Sequence, residues 1–401
     1  MKVMNNIQTE FISCPKVRQL EEKLADEATL DGIGTPRFYN SRLMPIDHQE
    51  NKRICRELKL IFALLMKTVA RVVREKDYEG FCFPPEVIKA IEKSWTDQDP
   101  FIIGRFDIRY EPGKPLLCYE MNVSCTGHIA EMYMREIFLP HVIEDAKPNV
   151  ILGRHLRAVW KNVARHMENA RVNYIAEPNN DDQDAAIVCA LGAESSGLRF
   201  HDALNLRWKR VDKEVSDSRS ISFLKAGIEF YPRSPTVVGQ ADVFYMWHQI
   251  VRRKGQKMFP APWTLLLDNK AIWAHVWKDN VGHPNLIPTT FDFNDFMPGG
   301  VLHEGGNNQI RAKPVFSCAG AGQTNYYQDR NIPYGVDTEC ASGKIFSAYR
   351  PEYKIDHIDR LKGWAFVVGD GEAVKYDLRS DNIYCSYVKK PSGAASPRPD
   401  L

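Results

Sequence analysis

The residues most able to do chemistry lie in the segment Phe101–Thr126, which reads FIIGRFDIRYEPGKPLLCYEMNVSCT. Arg105 and Asp107 stand two residues apart, and Glu120 and Asn122 repeat that spacing. In an extended strand, residues two apart lie on one face. Two carboxylates and an amide oxygen suit Mg²⁺, and an arginine can bind a substrate carboxylate or phosphate. The spacing indicates a magnesium and anion site. An ordinary hairpin with a cross-strand Arg–Glu pair is the alternative.

Two strands are needed to position these residues, and the sequence predicts them at Phe101–Tyr110 and Pro115–Asn122. Each strand alternates apolar and polar residues, and Glu111-Pro112-Gly113-Lys114 between them is typical of a turn. If the loop has two residues, Arg105 lies opposite Glu120 and all four polar side chains share one face. A three-residue loop without a bulge would split them between the two faces. The two-residue register is our prediction.

Two predicted helix starts add candidate anion ligands. Ser124-Cys125-Thr126 can cap a helix over Gly127 to Phe138, whose N-terminal N–H groups would point toward the hairpin site. A second helix is predicted to begin near Asp268 or Asn269, with Lys270 in its first turn. A lysine beside the positive end of a helix dipole is unfavourable unless an anion binds there. Lys270 is therefore a candidate anion ligand, and a snorkelling surface lysine is the alternative.

Candidate phosphate ligands follow toward the C terminus. The predicted strand Gln309–Phe316 carries Lys313 and runs into a loop of small residues at 317–322, which includes Cys318, Gly320 and Gly322. Backbone N–H groups of such a loop can lie over phosphates. A hairpin predicted at Gly363–Leu378 ends at Arg379, whose forked guanidinium can bind a carboxylate or an acyl phosphate.

The other predicted elements are mainly scaffold, and their order indicates the fold class. Helices are predicted at His48–Lys76, from Pro84-Pro85 onward and at Gly153–Met167, and short strands at Asn173–Ala176 and Ala185–Leu191. This mixture of helices and strands predicts an α+β fold built of mixed α/β layers. Glu194 follows the second strand and could reach a ligand amine, with a solvated loop carboxylate as the alternative.

The composition limits the classes of partner and the compartment. In 401 residues, 53 Lys and Arg stand against 51 Asp and Glu, so neither nucleic acid nor an anionic membrane is expected as a partner. The longest apolar run, Leu60 to Met66, is too short for a bilayer span, and no signal-peptide core is visible, so we expect a cytoplasmic location. The nine cysteines form no CxxC pair and are expected to be reduced. Cys125 and Cys318 differ only in falling within candidate site loops.

Taken together and in order, these motifs resemble the glutathionylspermidine synthase family of ATP-grasp ligases. GRFDIRY followed by CYEMN is similar to the paired RFD and EYN elements of that family. DNKAIWAHVW and the later GHPNLIP are similar to its NKAI helix and the following turn. RAKP resembles its phosphate-binding lysine strand, and GWAFVVGDG with DLRSD resembles its closing hairpin. Several spaced motifs in one order are more specific than any one alone. The resemblance covers the synthetase part, and no amidase domain is expected.

The resemblance implies an ATP-dependent carboxylate–amine ligase that uses ATP and two Mg²⁺ ions. A carboxylate is phosphorylated by ATP, and an amine then attacks the acyl phosphate, so the substrates are a small amino-acid or peptide carboxylate and an amine. The motif positions imply metal ligation by Asp107, Glu120 and Asn122, phosphate binding by Lys270, Lys313, Gly320 and Gly322, and support of the reacting carboxylate by Arg105 and Arg379. The substrate-facing candidates are Ser124, Cys125, Glu194 and Cys318.

The implied fold is an ATP-grasp fold, with the nucleotide between two α+β lobes after a helical pre-ATP-grasp region. We divide the chain into a helical and hairpin region at 1–150, a middle α/β substrate or lid subdomain at 151–262, a nucleotide-binding part at 263–390, and a disordered tail at 391–401. Two alternatives stay open: a catalytically silent homologue that binds a ligand, and a kinase that stops at a phosphorylated product.

Overall fold

The computed structural model describes residues 12–13, 42–123, 129, 132, 151–165, 171–176, 199–202, 220–225, 257–303, 309–316, 323–327, 333–334, 343–355, 359–369, 371, 373–380 and 384–388. Over these ranges the chain forms both helices and sheets, which confirms the predicted mixed class. Within the same ranges, no helix combines the length and the apolar character needed to cross a membrane.

The helices and strands are numbered here in chain order. The helices are α1 (His48–Glu75), α2 (Pro85–Thr96), α3 (Ile151–Arg165), α4 (Leu265–Asp268) and α5 (Ala271–Asp279). The strands of the N-terminal and middle regions are β1 (Ile12–Ser13), β2 (Arg42–Ile46), β3 (Ile103–Arg109), β4 (Leu117–Asn122), β5 (Arg171–Ala176), β6 (Arg199–Asp202), β7 (Ser220–Lys225) and β8 (Lys257–Phe259). Those of the C-terminal region are β9 (Thr289–Thr290), β10 (Gln309–Pro314), β11 (Thr324–Tyr327), β12 (Pro333–Tyr334), β13 (Lys344–Ala348), β14 (Tyr353–Ile355), β15 (Asp359–Val368), β16 (Ala373–Ser380) and β17 (Tyr384–Val388).

α1 and α2 form as their sequences predict. Asp47 precedes α1, and its side chain accepts a hydrogen bond from the Glu50 N–H at 2.8 Å, which satisfies one of the unpaired N–H groups at the helix start. α2 has proline at its first position, where the missing N–H costs no intrahelical bond. The stripe of α1 that faces the main core is fully buried and comprises Ile54, Leu58, Ile61, Leu65, Val69 and Val72.

β3 and β4 form the predicted hairpin. At the turn, the Lys114 N–H donates to the Glu111 carbonyl at 3.1 Å, and Gly113 has a φ of 71°, which favours glycine. The described residues of this hairpin keep the predicted alternation, because Phe106 and Ile108 are buried on the face that turns toward the core.

The register of this hairpin differs from the prediction. The pairing shifts between Asp107 and Ile108, so that Ile108 pairs with Cys118 while Asp107 pairs with Glu120. Tyr119 is the extra residue of a β-bulge. The predicted two-residue register, with Arg105 opposite Glu120, is therefore wrong. The pairing of Arg109 with Leu117 already lies one residue beyond it, as a three-residue loop gives, and the bulge adds one more, so that Arg105 pairs with Asn122. The prediction that the polar side chains of both strands share a face is confirmed, since the shifted register is continuous from Asp107 to the end of β4.

The first sheet joins two hairpins that are far apart in the sequence. Its order is β14-β15-β3-β4, and β16 pairs with β15. β15 runs antiparallel to β3, with Trp364 opposite Asp107 and Gly363 opposite Ile108. The hairpin predicted at Gly363–Leu378 is thus present as β15 and β16, and it lies beside the strand that carries Arg105 and Asp107.

A second antiparallel sheet has the order β12-β11-β10-β13-β9 and places β10 at its centre. Two further sheets complete the described fold: β6-β5-β7-β8, which is parallel, and β1-β2-β17. The strand predicted at Ala185–Leu191 and the start of the helix predicted at Gly127 to Phe138 lie outside the described residues.

Candidate active site

The polar face of β3 and β4 carries a small hydrogen-bonded cluster. Arg105 Nε donates to Asp107 Oδ1 at 2.8 Å, and Asn122 Nδ2 donates to the same oxygen at 3.4 Å. Glu120 pairs with Asp107 across the two strands. The four side chains are each partly buried, which is the setting in which ion pairs and hydrogen bonds gain strength over their value in water. The structure therefore brings together all four residues that the hairpin spacing predicted.

Lys270 reaches this cluster from the break between α4 and α5. Its Nζ lies 3.2 Å from Glu120 Oε2, and its side chain is 4% exposed. The residue is the N-cap of α5, so the predicted place in the first helical turn is wrong by one position. The reason is local, because Asn269 Oδ1 accepts the Ala271 N–H at 2.8 Å and fixes where the helix begins. The position beside the positive end of the helix is retained.

Lys313 reaches the same region from the second sheet. It lies near the end of β10, is 5% exposed, and its Nζ donates to the Tyr119 carbonyl at 3.3 Å. The ammonium also lies 5.7 Å from the centroid of the Tyr119 ring, within cation–π range. The bulged residue of β4 is thus the direct contact between Lys313 and the hairpin. The prediction of Lys313 on a strand is confirmed.

A backbone contact joins Lys270 to the segment that follows Lys313. The Lys270 N–H donates to the Val315 carbonyl at 3.0 Å, just beyond the end of β10. Lys270 therefore contacts the second sheet through its backbone and the first sheet through its side chain. Two buried cations and the Glu120 carboxylate are held together by these contacts.

The pKa values of these groups reflect burial and mutual charge. Burial raises the pKa of the Glu120 carboxyl, but Lys270, Lys313 and Arg105 outweigh it and hold that pKa below its ordinary value. Burial also lowers the pKa of Lys313 to about 8, although the Glu120 carboxylate opposes the effect. Glu120 is therefore ionised at neutral pH, and Lys313 is mostly protonated. An added anion would further favour the charged form of Lys313.

The donors on the hairpin fit a magnesium ion that is shared with a ligand. Within the described ranges, no group of three or more His, Cys, Asp and Glu side chains is arranged to hold a metal. Asp107, Glu120 and Asn122 supply two carboxylates and an amide from adjacent strands. Mg²⁺ commonly takes one or two carboxylates and completes its octahedron with water and substrate phosphates. The donor set fits such a site better than a site built from protein ligands alone.

The remaining predicted site residues are only partly covered by the structure. Arg379 lies on β16 with Lys362 as its cross-strand partner, and its backbone position alone is described. The other predicted ligands lie outside the described residues: Ser124, Cys125, Glu194, Cys318, Gly320 and Gly322.

Two residues that sequence reasoning missed take part in the geometry of the site. Tyr119 carries the carbonyl that Lys313 contacts, and its hydroxyl donates to the Arg350 carbonyl at 2.6 Å. Asp268 Oδ1 accepts the Val123 N–H at 2.6 Å. The position of Asp268 in the motif DNKAI was visible in the sequence, whereas nothing in the sequence distinguished Tyr119 from other strand residues.

Comparison with known proteins gives one family match and weak individual likenesses. Residues 21–384 match the family described as glutathionylspermidine synthase preATP-grasp. A Haemophilus influenzae protein described as an acid–amine ligase is 21% identical over 335 residues, which is 80% of this chain and 81% of that protein. Trypanothione synthetase of Crithidia fasciculata is 21% identical over 273 residues, which is 62% of this chain and 41% of the synthetase.

A solved structure from Methylobacillus flagellatus KT, described as a γ-glutamylcysteine synthetase, is 10% identical and covers 79% of this chain and 82% of its own. Its TM-score of 0.39 is too low to support an argument about the fold.

Proposed function

The chain belongs to the glutathionylspermidine synthase preATP-grasp family, and from that premise we propose that it is an ATP-dependent carboxylate–amine ligase. The names of the relatives, an acid–amine ligase and a synthetase, support a ligase that forms C–N bonds. The substrates we assign are a small amino-acid or peptide carboxylate and an amine.

The observation that carries the proposal is the pair of buried lysines beside Glu120. Burying a cation is costly unless an anion or a set of hydrogen bonds compensates it. Lys270 has a carboxylate at 3.2 Å, whereas the described contacts of the Lys313 ammonium are a carbonyl and an aromatic ring. Among the described residues of the cluster, Arg105, Lys270 and Lys313 outnumber the carboxylates Asp107 and Glu120. A polyphosphate would supply the anionic charge.

The polyphosphate would bind where both sheets contribute. Lys270 and Lys313 would contact phosphate oxygens, and their fixed positions would provide charge stabilisation without reorganisation during the reaction. Asp107, Glu120 and Asn122 would hold Mg²⁺, which when bound neutralises phosphate charge and orients the polyphosphate. We therefore propose that the nucleotide binds between two α+β lobes and that the loop with Gly320 and Gly322 covers its phosphates.

The carboxylate substrate would lie beside Arg105. Asp107 accepts from Arg105 Nε at 2.8 Å and so orients the guanidinium along the strand face. A carboxylate oxygen attacks the γ-phosphorus, the bond to the β–γ bridging oxygen breaks, and ADP leaves. Arg105 and Arg379 would stabilise the carboxylate and its phosphorylated form.

Amide formation would follow without a protein nucleophile. The amine nitrogen attacks the acyl carbon, the carbon–oxygen bond to phosphate breaks, and the departing inorganic phosphate takes up the proton that the nitrogen loses. Positioning of two reactants suffices for such a step, because an acyl phosphate is already a reactive electrophile. Ser124, Cys125, Glu194 and Cys318 are the proposed contacts for these substrates.

The test is ATP turnover with Mg²⁺ against a panel of amino acids, small peptides and polyamines, with mass spectrometry of the products. The proposal expects ADP and phosphate only with a particular acid–amine pair, and a product lighter by one water than their sum. Lys313→Met should abolish this turnover, whereas Lys354→Met, at an exposed position of β14, should leave it unchanged. A phosphorylated carboxylate as the final product would indicate a kinase instead. If no pair stimulates turnover and ATP does not shift the melting temperature, the protein is a silent homologue and the proposal is wrong.

A further inference from the structure

Asp268 connects the two halves of the candidate site. It ends α4, two residues before Lys270, and its Oδ1 accepts the backbone N–H of Val123 at 2.6 Å. Val123 directly follows Asn122, the last residue of β4. The hydrogen bond therefore fastens the end of the proposed metal-binding strand to the segment that carries a proposed phosphate ligand. A bond between a carboxylate and a backbone N–H is among the stronger hydrogen bonds in proteins.

A second contact joins the same two segments. Lys270 Nζ lies 3.2 Å from Glu120 Oε2, three residues before Val123. A single contact between two segments allows one to pivot about the other. Two contacts, at Glu120 and at Val123, fix both the separation of the segments and their relative direction.

Asp268 and the two residues after it contact different parts of the fold, so this short segment connects several neighbouring elements. Asn269 Nδ2 donates to the Phe81 carbonyl at 3.0 Å, and its Oδ1 fixes the start of α5. The backbone N–H of Lys270 donates to the Val315 carbonyl. Among these contacts, Asn269 holds Phe81, the backbone of Lys270 holds Val315, and Asp268 holds the residue that follows the end of β4.

We propose that Asp268 is a positioning residue of the ligation reaction: through Val123 it holds Glu120 and Asn122 in place relative to Lys270. The proposal rests on the function proposed above. The carboxylate acts through the strand end and does not itself touch a reacting group. Its loss would let the end of β4 shift, and a displacement of about 1 Å in a catalytic arrangement can cost about 10²-fold in rate.

The experiment compares Asp268→Ala with Asp268→Asn, because the asparagine keeps an acceptor oxygen at the same place. We expect the alanine variant to lose about 10²-fold in kcat and the asparagine variant to stay within about tenfold of the parent protein. Hydrogen exchange of the Val123 amide, followed by NMR or by peptide mass spectrometry, should become faster in the alanine variant and much less so in the asparagine variant.

Asp279→Ala is the matched control. Asp279 ends α5, and its Oδ2 accepts hydrogen bonds from Thr68 and from Arg71 at 2.9 Å each. It is a carboxylate at the next helix end, and these partners lie outside the candidate site. Its loss should lower the melting temperature, leave kcat of the folded protein unchanged and leave Val123 exchange unchanged.

The outcomes separate the inference from the function on which it rests. A kcat of Asp268→Ala within about threefold of the parent protein would overturn the inference, as would unchanged exchange at Val123. An asparagine variant as inactive as the alanine variant would also overturn it, because the negative charge would then matter more than the acceptor. If the parent protein shows no ligase turnover, the proposed function is wrong. The inference is then decided by Mg²⁺–ATP affinity, which should fall in the alanine variant and recover in the asparagine variant, and equal affinities in all three would overturn it.

Discussion

Lys270 Nζ lies 3.2 Å from Glu120 Oε2, so a proposed phosphate ligand and a proposed metal ligand are paired with each other. The lysine is almost completely buried, and the carboxylate keeps a lowered pKa in part because of it. In the absence of ligands, each group compensates the charge of the other. When Mg²⁺ and a polyphosphate bind, we expect both groups to acquire stronger partners of the appropriate sign.

Glu120→Gln tests the metal assignment. Glutamine keeps the size of the side chain and an oxygen for Lys270, but it loses the charge that would hold Mg²⁺. We expect Mg²⁺-dependent turnover to fall by about 10²- to 10³-fold. The protein should still fold, with a lower melting temperature, because the buried Lys270 loses the carboxylate that compensates its charge. Steady-state ADP release and thermal unfolding measure the two effects. Glu111→Gln, at the turn of the same hairpin, is the control and should keep its activity. Full activity of Glu120→Gln would show that the hairpin does not bind the metal.

The lowered pKa of Lys313 leads us to expect that nucleotide binding depends on pH. Burial lowers its pKa to about 8, so the ammonium form is lost as the pH rises through that value. If the ammonium contacts a phosphate, ATP affinity should weaken by up to about tenfold per pH unit above 8. Calorimetric titration with Mg²⁺–ATP between pH 7 and about 9.5 measures the slope. Lys313→Arg should remove it, since arginine stays charged. If the affinity for ATP does not change over this pH range, Lys313 does not contact the phosphates.

The titration of Lys313 should make the ligand-free protein more stable as the pH rises, whereas it makes ATP binding weaker. The pKa of Lys313 in the folded protein is lower than the ordinary lysine value of 10.5, so the unfolded chain binds the proton more tightly than the native state does. Stability must therefore rise as the pH increases from about 8 toward 10.5. Urea unfolding at pH 8 and pH 9.5 measures the difference, and Lys313→Met should reduce it. A fall in this contribution over the same interval would mean that Lys313 is not desolvated.

His275 predicts a loss of stability in mild acid. Its ring is buried, its Nε2–H donates to the Glu79 carbonyl at 2.9 Å, and its Nδ1 faces an Arg71 N–H at 3.2 Å. Burial lowers the pKa of this imidazole from 6.5, although the Glu79 carbonyl and Asp77 oppose the effect. The contribution of neutral His275 to the free energy of unfolding is therefore fully present above pH 6.5. It is lost as the pH falls below that value, because the unfolded chain takes up the proton first. Urea midpoints between pH 5 and about 7.5 should show this fall, and His275→Gln should show a smaller slope. Equal slopes would contradict the prediction.

Gly363→Ala tests the contact between the two hairpins of the first sheet. A Cβ at this position would overlap Ile108 Cγ1 and lie 2.9 Å from Ile108 Cδ1. Overpacking of this kind costs about 1–3 kcal/mol in free energy of unfolding. Ile108→Ala removes both atoms, so the double variant should lose less stability than the sum of the two single variants. Denaturant unfolding of all four proteins measures the coupling, and strict additivity would place the strands further apart than described.

Local pattern was enough to predict the elements that carry the site. The three- and four-residue spacing of apolar side chains predicts α1, because one stripe of that helix is buried. Strict alternation and a proline–glycine turn predict β3 and β4. The strand around Lys313 followed from the same kind of pattern. These features depend on neighbours in the sequence, which is why sequence reasoning recovers them.

The register and the long-range contacts could not be predicted in this way. Tyr119 is of a residue type that is common in regular strands, so the sequence does not mark it as the bulged residue. The bulge shifts the register of the residues that follow it, and the Tyr119 carbonyl accepts a hydrogen bond from Lys313. The pairing of Trp364 with Asp107 joins distant segments through backbone hydrogen bonds, which leave no periodic signature in either strand. The start of α5 was misplaced by one position because the capping role of Asn269 depends on the preceding break in the helix.

The pairing of β15 with β3 also has a consequence for synthesis of the chain. A ribosome releases β3 and β4 long before β15 and β16, so the nascent hairpin would expose one edge of β3 until the C-terminal strands emerge. An unpaired strand edge is a site for pairing with other chains. The order of translation would therefore leave the growing protein prone to aggregation over that interval. We expect the nascent chain to need chaperones until β15 can pair with β3.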